Sequence, residues 1–338
     1  MNKFLNRKKV NISFKTYFID AMGAMAYGLF ASLLVGTILN TIGQEFNIEF
    51  LSKTLWPIVQ AATGPAIAVS IAYSLNAPDL VLFSSAVVGV AGYQLGGPIG
   101  VFISTIFAVE FGKLISKETK IDIVLTPVVT VLAGAIIATF IGPYIQAMMV
   151  AIGNAIMAAT KQQPLIMGII VSVAMGMILT LPISSAAICI MLGLSGLAGG
   201  GAATVGCCAN MIGFAVISYK DNGFEGLLAQ GIGTSMLQMP NIIRKPVIWL
   251  PSIVASAILG PISTIIFKME NTPLGSGMGT CGFVGQIGTL NAMESISKGT
   301  VLLNMALLHF ILPAIISYVV YLLLKNKGII KDGDMKLN

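Results

Sequence analysis

The sequence predicts an all-α, polytopic membrane protein of about ten transmembrane helices, and three observations carry that prediction. First, 56% of the 338 residues are hydrophobic and only 9% are charged, with a mean hydropathy of +0.91. A soluble domain carries about 25% charge, so this composition excludes a soluble enzyme as well as a disordered or coiled-coil chain. Second, apolar runs near the length of a bilayer span, about 20 residues, recur from end to end. Third, the basic residues are clustered. Lys3, Arg7, Lys8, Lys9 and Lys15 crowd the amino end, and Lys325, Lys327, Lys331 and Lys336 crowd the carboxyl end. Lys113, Lys117 and Lys120 form a third group, and Arg244 and Lys245 a fourth. Basic residues mark cytoplasmic loops, which places both termini inside the cell membrane and requires an even number of spans. No aromatic-interleaved basic patch accompanies the net charge of +6, so nucleic acid is not expected as a partner.

Taken in order, the expected segments are 14–42, 54–76, 80–95, 97–115, 121–145, 164–181, 183–198, 201–219, 246–268 and 300–324. The first is too long for the apolar region of a secretory signal, about 7–15 residues, and contains Asp20. It reads as a retained span. Three further crossings then bring the chain back inside at Lys113–Lys120, as the charge rule requires. The fifth ends before an external loop at 146–163. The short segments at 80–95 and 183–198 read equally as half-helices.

Two stretches break the pattern. Residues 221–240 are apolar but interrupted by glycine. Residues 271–289 carry glycine at 275, 277, 279, 282, 285 and 288, with Pro273 near the start. Each glycine disfavours helix by about 1 kcal/mol relative to alanine, so a continuous lipid-facing helix is excluded there. Non-helical backbone at membrane depth must be covered by protein or line a water-filled cavity. A re-entrant hairpin over 271–289 is therefore expected, the alternative being an external loop.

An internal repeat has an offset of 117 residues, pairing Thr63 with Thr180, Pro65 with Pro182, Val88-Gly89 with Val205-Gly206 and Gly96 with Gly213. The repeats cover about 54–150 and 165–270 of a single transmembrane domain, 1–338. Secondary transporters hold substrate between such halves, beside interrupted helices. Thr63 and Pro65 are then expected to face Thr180 and Pro182 across one cavity.

No metal, cofactor or catalytic set is expected. The chain has one histidine, and Cys189, Cys207, Cys208 and Cys281 lie among small apolar residues without ligand spacing. No phosphate-binding GxxxxGK[ST] occurs. Of the ionisable residues in or near spans, Glu110 lies three before Lys113 and reads as half of a helix-surface ion pair. Glu270 and Glu294 flank the hairpin, and His309 is mid-span, either packed neutral or part of a proton relay. The uncharged polar residues carry more. Thr63, Pro65, Thr180, Pro182, Ser184 and Ser185 place hydroxyls beside prolines, and Asn210, Gln238, Asn241, Asn271 and Gln286 supply amides. Such a set suits a neutral, hydroxyl-rich solute such as a sugar; it equally suits hydrogen bonding between helices.

The stretches LPISSAAICIMLGLSGLAGG, GCCANMIGFAV, GTSMLQMPNI and NTPLGSGMGTCGFVGQIGT, with YSLNAPDLVLFSSAVVG and GGPIGVF earlier, resemble the phosphotransferase-system enzyme IIC-like membrane family. More narrowly, they resemble its standalone branch of perfringolysin-type toxin regulators. The resemblance implies a homodimeric sugar permease with elevator-type movement and re-entrant hairpins, working with separate IIA and IIB proteins. It adds Gly277 and Gly279 to the candidate site formed by Thr180–Ser185 and Asn271–Thr289. The Gly-Ile-Thr-Glu-Pro element of glucose-type members is absent, and with it their sugar-binding glutamate. No attached IIA or IIB domain is recognised. The expected function is transport of a sugar or related small polar metabolite, with a non-transporting membrane sensor or regulator as the alternative.

Overall fold

A computed structural model describes residues 2–160 and 163–337. Lys161 and Gln162, in the expected external loop, lie outside the described residues. The structure is helical with no strand among those residues, which makes the chain an all-α, multi-pass membrane protein. Among the described residues, seven helical runs are long and apolar enough to cross a bilayer. The chain divides into two compact units, Met1–Met148 and Met149–Asn338.

In the first unit, α1 spans Thr16–Gln44, α2 spans Phe50–Ser74, and the run Asp79–Ile115 follows. That run is a helical hairpin, not one rod. Gly96 (φ −149°, ψ 16°) and Gly97 (φ 58°, ψ −153°) leave helical geometry between α3 (79–95) and α4 (98–115). A Cβ on Gly92 would lie 2.8 Å from Val101 Cα. In a continuous helix, residues nine apart are separated by about 13 Å, so the chain has reversed. The expected segments 80–95 and 97–115 are thus two antiparallel helices. The backbones of α2 and α3 meet at Gly64 and Gly89, each occupying the space where a Cβ on the other would stand. In lipid, where apolar burial does not draw helices together, such close approach provides the attraction through dispersion.

The next helix, α5 (Asp122–Thr160), has 39 residues. The external loop expected from residue 146 is therefore corrected: helix continues to Thr160 despite Pro127 and Pro143. Near the amino terminus, Lys8 donates to Ser116 O at 2.5 Å and pairs with Glu118, as does Arg7 at 2.6 Å. Lys113 pairs with Glu110 at 3.2 Å and donates to Lys9 O at 3.1 Å. The expected Glu110–Lys113 pair is thus present, with the Lys113 side chain 1% exposed and that of Glu110 16%, so it is inset from the surface.

The second unit is organised around α8 (Gly200–Ile217), of which 89% is buried, against 28% for the most apolar stretch of the last helix, Lys298–Asn326. Before it come α6 (Pro164–Thr180) and α7 (Ser185–Leu192). Of the two readings of 183–198, the half-helix is the one seen: eight residues of α7 extend about 12 Å, too short to cross. After α8 come α9 (Tyr219–Leu228), α10 (Pro246–Ile266), α11 (Pro273–Ser276), α12 (Val284–Ala292) and α13 (Lys298–Asn326).

Small residues at four-residue spacing line the α6 and α10 seam against α8: Gly168, Ser172 and Gly176 on one, Ser252, Ser256 and Gly260 on the other. A Cβ on Gly206 would collide with Ser172 O, and one on Gly260 with Gly168 O. Ser172 also donates to Ser256 O at 2.7 Å. The seam is closed by backbone contact and hydroxyl bonds, as helices in lipid require. Residues 328–337 follow α13; within them Ile330 and Met335 are each only 1% exposed.

Candidate functional site

The candidate site is built in the second unit from two interruptions of helix. At the first, α6 ends at Thr180, and Leu181 is extended (φ −73°, ψ 159°). Proline at 182 supplies no N–H, so continued helix would lose a bond there. Helix resumes at Ser185, with Ile188 N donating to Ser184 O at 3.1 Å. At the second, α11 is one turn long, started by Thr272, whose Oγ1 accepts from Gly275 N at 3.3 Å. The chain then turns through 277–283 into α12, and Gly275, Ser276, Gly277, Gly279, Thr280 and Cys281 are buried. Gly279 has φ +55°, and a Cβ there would lie 2.8 Å from Cys207 C. Only glycine meets both conditions without strain.

The two interruptions meet. Ser185 Oγ donates to Gly277 O at 2.6 Å, and Ser276 Oγ donates to Leu194 O at 2.9 Å. Asn271 anchors the base of the turn: its Nδ2 donates to Thr204 Oγ1 at 2.7 Å and to Gly285 O at 2.9 Å, while its Oδ1 accepts from Thr272 N at 2.8 Å. Thr280 Oγ1 donates to Gly231 O at 2.5 Å. On α12, Gln286 Nε2 lies 3.1 Å from His309 Nδ1, making that ring nitrogen the acceptor. Gln286 Oε1 is buried with no hydrogen-bond partner. His309 is 1% exposed and packed against this amide.

Beside the first interruption, Thr180 Oγ1 lies 2.8 Å from Ser235 Oγ and donates to Asn210 Oδ1 at 3.3 Å. Asn210 Oδ1 also accepts from Trp249 Nε1 at 2.8 Å, and its Nδ2 donates to Ser256 Oγ at 3.2 Å. One fully buried amide thus ties the end of α6 to α10 through α8. These groups are neutral donors and acceptors, which match hydroxyls and carbonyls without a fixed charge.

Of the residues expected from sequence, the structure brings Thr180, Ser185, Asn271, Gly277, Gly279 and Gln286 into this network, with Pro182 and Ser184 in the connecting segment. Thr63 and Pro65 belong to α2 in the first unit. Thr63 is fully buried and donates to Val59 O at 2.9 Å within its own helix. Ser235, Trp249 and Thr204 were not expected. Trp249 lies beside the Arg244-Lys245 group, and an indole N–H in an apolar segment is a signal for a buried acceptor. Glu294 is exposed, and all four cysteines are buried free thiols.

A family profile described as phosphotransferase system, EIIC, matches residues 19–337. No curated protein and no solved structure matches the chain.

Proposed function

We propose that this chain, which belongs to the phosphotransferase-system EIIC family, is the permease for a sugar or a related small polar metabolite. EIIC is the transmembrane permease component of that system, so a transporter-type membrane protein is the premise. The observation that carries the substrate class is the junction of the two helix interruptions at Ser185 and Gly277, surrounded by neutral hydroxyl and amide groups. Backbone freed from helix, together with side chains that donate and accept without charge, suits a polyol. In this reading 271–289 is a re-entrant hairpin, and Thr180, Pro182, Ser184, Ser185, Asn271, Gly277, Gly279 and Gln286 contact solute. The chain works as a homodimer in the cell membrane, both termini cytoplasmic, with elevator-type movement and separate IIA and IIB proteins.

The unpartnered Gln286 Oε1 is the acceptor assigned to a substrate hydroxyl. Uptake into proteoliposomes, screened over sugars and polyols, tests the reading. Saturable uptake that falls in Gln286→Leu and in Ser185→Ala supports it. The absence of both saturable uptake and ligand-induced thermal stabilisation across the panel overturns it. A second reading, a sensor that binds without turnover, is favoured by the missing Gly-Ile-Thr-Glu-Pro element. Thermal stabilisation by a sugar without counterflow exchange would select that reading.

A further inference from the structure

At the carboxyl end of α13 the second unit holds a cavity of about 360 Å³ whose chemistry the transport site does not use. Its floor is apolar, with Val216, Leu227 and Leu322, and its polar lining comprises Tyr318, Tyr321, Lys220 and Lys325. The two lysines approach from different elements, Lys220 from α9 and Lys325 from the last turn of α13. Lys325 Nζ also lies 3.1 Å from Tyr321 Oη. Tyrosine and lysine at the end of a membrane-spanning helix are interfacial residues. The cavity therefore stands where acyl chains meet headgroups, with both apolar and cationic groups in its lining.

A single carboxylate, Asp332, takes both ammonium groups, Lys220 at 2.6 Å through Oδ2 and Lys325 through Oδ1. Within the cavity the two ammonium groups share one carboxylate, and the nearby Asp221 carboxylate is taken by the backbone N–H groups of Gly333 and Met335. Asp332 lies in the segment after α13, whose backbone is held by Asp221 at Gly333 N (2.9 Å) and by Asn222 at Met335 O (2.8 Å). The carboxylate is thus delivered to the lysines by a docked segment.

We propose that this cavity binds an anionic phospholipid, its phosphodiester at Lys220 and Lys325 and its glycerol and upper acyl carbons against Val216, Leu227 and Leu322. One phosphodiester carries a single negative charge, and the lysine pair shares one carboxylate. Basic pockets between membrane helices take lipid headgroups in this way, and each lysine near an anionic leaflet adds to the attraction. Asp332 competes for the same two ammonium groups, so the docked carboxyl segment opposes the lipid instead of assisting it.

The test is native mass spectrometry of the full-length protein in detergent, titrated with dioleoyl phosphatidylglycerol or dioleoyl phosphatidylcholine. The glycerol lipid is expected to bind about tenfold tighter or more, and Lys220→Gln with Lys325→Gln together should abolish that preference. Asp332→Asn should strengthen phosphatidylglycerol binding several-fold. Equal affinity for the two lipids overturns the proposal, as does a double variant that keeps the preference, or an Asp332→Asn variant that binds no tighter. Inorganic phosphate at 10 mM is the competitor (~100-fold above a lipid at 0.1 mM). If it displaces the lipid fully, the site belongs to free phosphate and the lipid assignment fails. Should the double variant not fold, Leu227→Trp fills the cavity with the lysines intact and should lose phosphatidylglycerol; unchanged binding there is equally fatal.

Discussion

Ser185 donates its hydroxyl to the carbonyl of Gly277 at 2.6 Å across 92 residues of sequence. Each residue sits at a break in helix, so each break leaves backbone groups that the other helps to satisfy. Gly277 has no Cβ, and one placed there would lie 2.6 Å from Ser185 O. The contact therefore depends on serine at one position and glycine at the other.

Ser185→Ala removes the donor and leaves a buried carbonyl without a partner. Such a loss costs about 1–3 kcal/mol. A lower melting temperature in detergent is expected, with the helical circular dichroism of the folded state unchanged. Ser185→Thr keeps the hydroxyl and should recover part of the loss. A Ser185→Ala protein as stable as the parent would show that water replaces the bond and that the junction is open.

Asn210 is a larger liability. Its amide serves Trp249, Thr180 and Ser256 together, and it is fully buried. Asn210→Leu strands the indole N–H of Trp249 and should destabilise by about 2–4 kcal/mol. Trp249→Phe removes that donor, so combining it with Asn210→Leu should cost less than the sum of the two single changes. Strict additivity in that double-mutant cycle would sever the link between the two residues.

What the sequence made legible follows the physics of each signal. The small-residue stripes Gly168-Ser172-Gly176 and Ser252-Ser256-Gly260 have helical period and form the seam, a signal that the reading of the sequence above passed over. Pro182 and the glycines of 271–289 are local breakers, and the breaks are where they stand. The partnership of Ser185 with Gly277, or of Asn210 with Trp249, has no local signature because it joins distant segments. The helical continuation of α5 over 146–160 was missed because the segment was ended near the length of one bilayer span, about 20 residues, whereas the helix runs to 39. Lys113 was read as a surface residue because Glu110 lay one turn before it; only packing of the amino-terminal segment buries it.

Acid should release the segment after α13. Lys220 first, then Lys325, holds the Asp332 carboxyl below the usual carboxylate range. At Asp334 partial burial pushes the other way, but the Lys245 hydrogen bond and the Lys331 backbone N–H prevail and its pKa is also lowered. A carboxylate whose folded pKa lies below its unfolded value, about 3.9, contributes stability that is complete above that value. The contribution disappears as the pH falls through the lower, folded pKa. Melting temperature is therefore expected to be level from about pH 7 to 5 and to drop below about pH 4. Asp332→Asn with Asp334→Asn should start lower at neutral pH and fall less steeply. If the double variant follows the parent curve at every pH, these two carboxylates do not hold the segment.

The reversal between α3 and α4 separates backbone strain from steric contact. Gly97 has φ 58° and ψ −153°, a region that residues with a Cβ scarcely enter. A Cβ there would meet nothing within 4 Å, so Gly97→Ala tests conformation alone. A loss of about 1–3 kcal/mol is expected. Gly96 is the internal control: its φ is −149°, and the nearest obstacle to a Cβ is the flexible end of Ile145 at 2.9 Å. Gly96→Ala should cost well under half as much, since a side-chain tip can move where a backbone angle cannot. The two melting temperatures decide the matter. A Gly97→Ala protein as stable as Gly96→Ala would mean that the chain continues as helix at 96–97, and that the antiparallel pairing of Gly92 with Val101 is wrong.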